Sequence, residues 1–573
     1  MKTFTCIAAL AATALATPTS KSLPKVDLGY EIYQATSLNE TTNLYSFSNI
    51  RYAAPPTGEN RFRAPQPPAQ NRSSVQVNTP DTVCPQASPL WGANSVDYIT
   101  QYLMGERSFN KSDFASPTTG LNLSDPTTLA GLVSLIPKPD PRTTEDCLFL
   151  DVVVPQQLFK KKPKNGAPVL VWIYGGGYTA GSKRDSYNPA GLLARSQVGE
   201  DDGVIYVALN YRLGAFGWLS GPTFQEDGTA NAGLHDQRFA LEWVQKHIAK
   251  FGGDPKRVTV FGESAGGGSI MGQITAYGGN KGPAPFSQAI TQSPGFTPVV
   301  SANQQEKIFL DYLKWVNVSS IEEARKLPTE ALQLANTITV GLASYGGFTY
   351  GPAVDGDFLP ALPGQLLARG QFDKSLKVMV GHNANEGLLF TPPYSQNTTD
   401  ILDNLAITIP SIMAYPEVLD YVTNTLYPQD FSGAQAQGYT NNLDRAAAII
   451  SELAFTCNTF YLDKAFKNQT YAYLFSAPPA LHGFDVPYTF YNANETSTSP
   501  IRGVPNPAIA IALQEYITNF AIRGTPNQAG VVPHFDLYGA NATVQNLNVT
   551  GITQLRDPVA NERCNWWQKG LFA

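Results

Sequence analysis

The stretch Lys256–Gly268 constrains this chain more than any other. Val258, Val260 and Phe261 read as a short buried strand, Gly262-Glu263-Ser264-Ala265-Gly266 as a turn made of the smallest residues, and Gly267-Gly268 as the opening of a helix. A G-x-S-x-G pentapeptide between strand and helix puts its serine on a turn too tight for flanking side chains, which leaves the hydroxyl standing above the sheet. The helix that starts there aims its unpaired amides, and about half a unit of positive charge, at the same spot. An oxyanion formed beside Ser264 is therefore favoured. A Gly-rich turn of this kind also arises by chance, so the rest of the chain has to supply the partners that such a serine needs.

Of the 573 residues, 43% are hydrophobic and only 15% charged, which suits one large core. A net charge of −6 offers no basic footprint, so neither nucleic acid nor an anionic membrane surface is expected as a partner. Met1-Lys2, the alanine-rich apolar run from Thr3 and the small residues Ala14-Leu15-Ala16 read as a signal peptide over residues 1–16, broken off by Thr17-Pro18. No later run reaches the roughly 18 apolar residues of a membrane span. The expectation is a secreted protein with one domain over residues 17–573. Cys84, Cys147, Cys457 and Cys564 then form an even set suited to an oxidising compartment, with three pairings open. Neither these cysteines nor the five histidines show metal-ligand spacing, so no metal or cofactor is expected. N-glycans are expected at several of the sequons Asn39, Asn71, Asn110, Asn122, Asn317, Asn397, Asn468, Asn494, Asn541 and Asn548.

Strands and helices alternate along the chain, as in a parallel sheet covered on both faces. Ala167–Tyr174 is a continuous apolar strand running into Gly175-Gly176-Gly177, whose backbone can approach a ligand closely; Gly203–Arg212 is the next strand. A helix capped by Asp236 is expected to bury Phe239, Ala240, Trp243, Val244 and Ile248 and to end before Gly252. Gln288–Ser293, Lys377–Gly381 and Thr470–Ser476 supply further strands. The 85–146 interval is long for a loop; Ser124-Asp125-Pro126 followed by Leu129, Leu132, Val133 and Ile136 reads as an amphipathic lid helix at a lipid–water interface or, failing that, an ordinary surface helix.

Several of these stretches resemble the type-B carboxylesterase/lipase family. The likeness is carried by Asn231–Pro255 leading into the elbow, by Asn49–Pro65, Thr144–Val152 and Leu213–Trp218, and by the segments Gly381–Gly387 and Leu481–Tyr488. It implies an α/β-hydrolase fold with a large, mostly parallel sheet. It also implies that Cys147 closes a loop with Cys84, leaving Cys457 for Cys564. Choline-ester members carry a Trp-Asn pair in that first loop. Here Trp91 is followed by Gly92-Ala93, so a cholinesterase is not expected.

A serine hydroxyl needs a base, and the base a carboxylate that fixes its tautomer. In α/β hydrolases the order along the chain is serine, acid, histidine, which leaves His482 and His534. His482 lies in a loop after a strand and in the segment resembling the family's histidine motif; His534 sits in a strand-like run and reads as structural. The resemblance implies Glu386 as the acid, with Asp355 and Asp357 as turn residues. The expected oxyanion donors are the amides of Ala265, Gly176 and Gly177. Glu263 is too close to the nucleophile in sequence to orient a distant imidazole, and reads as an outer group that holds water or raises the local negative potential. The resulting expectation is a serine carboxylesterase or lipase acting on an ester through an acyl-enzyme. The alternative is a catalytically silent binding or adhesion protein on the same fold.

Overall fold

The structure, a computed structural model, describes residues 23–572 apart from 78–79, 93–94, 108–130, 132–138, 186, 199–200, 297–298, 433–437, 494–502 and 529–532. The expected signal peptide, the lid helix through Leu129, Leu132, Val133 and Ile136, and the sequons Asn110, Asn122 and Asn494 lie outside the described residues.

The strands in chain order are β1 (Lys25–Asp27), β2 (Glu31–Gln34), β3 (Ser37–Asn39), β4 (Leu44–Arg51), β5 (Asn71–Gln76), β6 (Phe149–Pro155) and β7 (Ala167–Ile173). They continue with β8 (Ile205–Leu209), β9 (Gly253–Glu263), β10 (Gln288–Gln292), β11 (Lys377–Asn383), β12 (Tyr471–Phe475), β13 (Thr543–Asn548) and β14 (Gly551–Arg556). Among the described residues, β1, β2 and β5 form a small sheet, and the other strands form one large sheet in the order β14-β13-β12-β11-β10-β9-β7-β8-β6-β4-β3. From β8 to β13 the neighbours run parallel; the outer pairs at both ends are antiparallel. Every residue of β7 and β8 is buried, which explains their unbroken apolar sequence. At one edge β14 is largely exposed and carries Gln554 and Arg556, polar residues that discourage pairing with a further strand.

Strand order reverses at β7: β8 lies on one side of it and β9 on the other. Chains that leave such a reversal diverge and open a crevice at the carboxyl ends of the strands. The register lines up the ends that matter, with Glu263 opposite Gln292 and Gln292 opposite Gly381. Residues just past these points therefore emerge side by side on one rim.

The helix after the crevice-forming strands differs from expectation at its start. It spans Ala232–His247, and Asn231, with φ 54° and ψ 32°, occupies the N-cap position. Asp236 lies inside the helix, fully buried, and accepts hydrogen bonds from the Arg212 guanidinium at 2.8 and 2.7 Å and from the Arg212 amide at 3.0 Å. A buried carboxylate needs such a partner more than a helix terminus needs a cap, and the partner is remote in sequence.

Cys84 pairs with Cys147 across 63 residues and Cys457 with Cys564 across 107. Closing a loop of the second length restricts the unfolded chain by about 4–5 kcal/mol at most. Replacing both Cys457 and Cys564 by serine is expected to lower the thermal unfolding midpoint, read by circular dichroism, more than replacing Cys84 and Cys147.

Candidate active site

Ser264 stands between the end of β9 and the helix Ala265–Ile274 with φ 58° and ψ −124°. For a residue with a side chain this backbone costs roughly 1–3 kcal/mol, and it persists only because the surroundings impose it. Three hydrogen bonds do so: Ser264 N–H donates to the Gln292 carbonyl at 3.0 Å, and the Ser264 carbonyl accepts from Gly268 and Gly295 amides at 2.8 and 2.9 Å. The flanking positions leave no room for a side chain. A Cβ at Gly262 or Gly266 would lie 2.4 or 2.0 Å from the Ile173 carbonyl oxygen at the end of β7.

The segment following β11 carries Glu386, and the loop following β12 carries His482. They are joined directly: Asn385 N–H donates to the Ala480 carbonyl at 2.9 Å and its side-chain amide to the Pro479 carbonyl at 2.8 Å. That staple brings the fully buried Glu386 Oε2 into hydrogen-bond contact with His482 Nδ1, while His482 Nε2 lies 2.7 Å from Ser264 Oγ. Serine, imidazole and carboxylate thus form one hydrogen-bonded line. The other oxygen of Glu386 accepts from Ser293 Oγ at 2.6 Å, from Asn383 N–H at 2.6 Å and from Asn383 Nδ2 at 3.3 Å. Ser293 follows β10 directly, and Asn383 ends β11, so the register of those strands places both.

Glu263 adds negative potential to the site, one of the two roles expected of it, but from closer in. Its Oε1 is 3.3 Å from His482 Nε2, so it faces the imidazole beside the nucleophile instead of lying outside its reach. The tight elbow turn folds its side chain back over the same crevice. Asp485, also fully buried, accepts from Tyr473 OH at 2.6 Å, Gln292 Nε2 at 3.2 Å and Asn383 Nδ2 at 3.3 Å. Asn383 thereby ties Asp485 to Glu386.

Burial presses the His482 imidazole toward its neutral form, but the charges of Glu386 and Glu263 and the hydrogen bond donated to Glu386 outweigh it and raise the pKa to about 9. Burial pushes the Glu386 carboxyl the other way, and there the His482 charge and the hydrogen bonds from His482, Ser293 and Asn383 hold it below the ordinary carboxylate range.

The loop after β7 lies against the serine, where a Cβ at Gly175 would come within 2.9 Å of Ser264 Cβ. Gly176 and Gly177 take φ of 102° and 62°. Gly177, Ser264 and Ala265 line one cavity of about 330 Å³, whose walls include Tyr178, Phe348, Phe390 and Phe455. Ala265 begins its helix, so its amide has no acceptor within that helix. Trp91 donates its indole N–H to the Gly347 carbonyl at 2.8 Å and packs on Phe348 and Phe390 behind the cavity. Of the remaining histidines, His534 is exposed beside Asp536 and His382 is buried facing Asp557, both away from the serine's hydrogen bonds.

Ser293, Asn383 and Asp485 are the functional neighbours that sequence reasoning missed. Ser293 fell at the end of an expected strand, and Asn383 and Asp485 fell inside the segments Gly381–Gly387 and Leu481–Tyr488, where neither was singled out.

The reversal of strand order, the elbow and the crevice at the strand ends define an α/β hydrolase. The chain belongs to the carboxylesterase family, whose model matches residues 33–567. It is 41% identical over 566 residues to Carboxylesterase patB of Penicillium expansum, covering 97% of each chain. It is 31% identical over 522 residues to the Secreted triacylglycerol lipase LIP1 of Gibberella zeae, covering 84% of this chain and 79% of that one. The crystal structure of Aspergillus niger EstA superposes with a TM-score of 0.75 at 23% identity, covering 96% of this chain and 98% of that one. The protein is a carboxylic ester hydrolase.

Glu263→Gln removes one of the charges that raise the His482 pKa. The acid limb of the pH profile of kcat/KM is expected to move to lower pH by about one unit. A profile unchanged from wild type on a nitrophenyl ester would show that Glu263 does not act on the imidazole.

Proposed function

We propose that this protein is a secreted serine esterase working through Ser264, His482 and Glu386. The observation that carries the reading is the unbroken line from Ser264 Oγ through both ring nitrogens of His482 to Glu386. Neutral His482 accepts the Ser264 proton at Nε2 as Oγ bonds to the ester carbonyl carbon. Glu386 holds the proton on Nδ1 and offsets the charge of the imidazolium. The carbonyl electrons move to oxygen, where the amides of Ala265, Gly176 and Gly177 receive the oxyanion; each well-placed donor is worth roughly 3–4 kcal/mol. The tetrahedral adduct collapses, and the bond to the alcohol oxygen breaks as Nε2–H protonates it. Water repeats the sequence on the acyl-enzyme and frees the acid. Side chains, ester and water supply every proton and electron pair.

The walls of the cavity beside Ser264 favour an apolar group on the substrate. Residues 1–16 act as the signal peptide and 17–573 as one catalytic domain, with 85–146 as an insertion and a lipid–water interface as the setting. Among the described sequons, Asn39, Asn71, Asn317 and Asn541 are exposed and suit glycans, whereas Asn397 spends its side-chain amide on Asp400 at 2.9 Å and Asn548 on Ser476 at 3.0 Å.

The sign of the pH dependence follows from the chemistry. Attack requires neutral imidazole, so kcat/KM is expected to rise with pH until about 9 and then level. Stability runs the other way: the raised pKa stabilises the fold fully below the unfolded-chain value of about 6.5, and that contribution is lost as pH climbs through about 9. Ser264→Ala is expected to lower kcat on a short-chain nitrophenyl ester about a millionfold. A fluorophosphonate probe should label wild-type protein at Ser264. Absence of that adduct in folded protein overturns the assignment.

A further inference from the structure

The helical segment behind the histidine is irregular where it meets the site. It is α-helical over Asn442–Ser451, widens to a π-helical turn over Glu452–Thr456, and returns to α over Cys457–Ala465. A π turn takes up one extra residue, which swings the following side chains about 100° around the axis. Such a turn is less favourable than an α turn, and this one is fastened on both flanks. Glu452 accepts from Arg563 Nε at 2.9 Å on each oxygen and from Tyr427 OH at 2.6 Å. The Cys457–Cys564 disulfide follows at once. Asn458 Nδ2 donates to the Ala454 carbonyl at 3.1 Å inside the turn and to the Pro294 carbonyl at 2.9 Å in the loop beyond Ser293.

What the turn presents is Phe455. Its ring centroid lies 4.4 Å from that of His482 with the planes at 46°, and it packs at 4.9 Å against Phe390, which meets the imidazole edge-on at 5.0 Å. The hydrogen bonds to Ser264 and Glu386, together with the Cβ–Cγ bond, fix the plane of the imidazole and leave it only a small freedom to tilt. Aromatic rings beside it remove that freedom. An aromatic face also attracts a cation, so a ring in this place favours the imidazolium that forms during the reaction.

We propose that Phe455 is a positioning residue for ester hydrolysis, holding the His482 ring in the line between Ser264 and Glu386 and stabilising its protonated form. The proposal rests on the serine-esterase reading above. The other groups that act on the same imidazole are Glu386, Glu263 and Asp485, and none of them is altered by changing Phe455.

The test compares Phe455→Leu, which keeps an apolar side chain and loses the ring, with Phe455→Tyr, which keeps the ring. For Phe455→Leu, kcat is expected to fall about tenfold with KM moving less than about threefold, and the acid-limb midpoint of kcat/KM to drop by about half a pH unit or more. Phe455→Tyr is expected to keep the wild-type acid-limb midpoint, because the ring stays beside the imidazole. Wild-type kcat and midpoint in Phe455→Leu would overturn the proposal. If thermal melting shows that Phe455→Leu does not fold, the wild-type protein decides instead. With carbon-13-labelled histidine, the His482 ring protons, assigned by their loss in His482→Gln, should resonate upfield of the unfolded-chain position because an aromatic ring lies beside them. Unshifted resonances overturn the proposal. Hydrolysis and fluorophosphonate labelling of wild type are measured alongside; their failure would sink the serine-esterase reading and with it the proposal, whereas an active wild type matched by Phe455→Leu sinks the proposal alone.

Discussion

The site depends on the alignment of three parallel strands, with Glu263, Gln292 and Gly381 standing opposite one another across β9, β10 and β11. Parallel hydrogen bonding allows side chains to project only at alternate residues, so a slip of one position on any strand would turn its end away from the crevice. With the register held, Ser264 and Ser293 leave adjacent strands at the same level. Asn383 reaches the same rim one residue further along on the third. The nucleophile is therefore placed by the sheet, and the elbow only sharpens its angle. The glycines of the elbow matter because the Ile173 carbonyl at the end of β7 already occupies the space a side chain would need.

How much of this could be read beforehand depended on how local each determinant is. The elbow, the apolar interior strands and the glycine loop after β7 are written in consecutive residues, and their boundaries fell within a few positions of those observed. Asp236 was misplaced because a carboxylate near a helix start suits a cap equally well, and the reason it is buried, Arg212, lies on another element. Glu263 was set aside by its nearness in sequence to Ser264, yet a tight turn brings neighbours round to one side. Ser293, Asn383 and Asp485 are ordinary polar residues in their own segments; only the stacking of β10, β11 and the histidine loop brings Ser293 and Asn383 to Glu386 and ties Asn383 to Asp485.

Electrostatically the site is lopsided. Glu386, Glu263 and Asp485 all bear on one imidazole, which also packs against the rings of Phe390 and Phe455. Such an arrangement suits the charged intermediate better than the resting base, and the pull toward the imidazolium that assists proton transfer also keeps the resting ring protonated at neutral pH. Ser293 and Asn383 spread the Glu386 charge over further hydrogen bonds, which limits how strongly that one carboxylate can retain the proton.

The ring closed by Cys457 and Cys564 contains His482 but neither Ser264 nor Glu386. During translation Ser264 and Glu386 emerge well ahead of His482. The covalent link that fastens the base's surroundings forms only after Cys564 has been synthesised. On the proposed reading a growing chain would therefore display Ser264 with nothing to take its proton until His482 has been made.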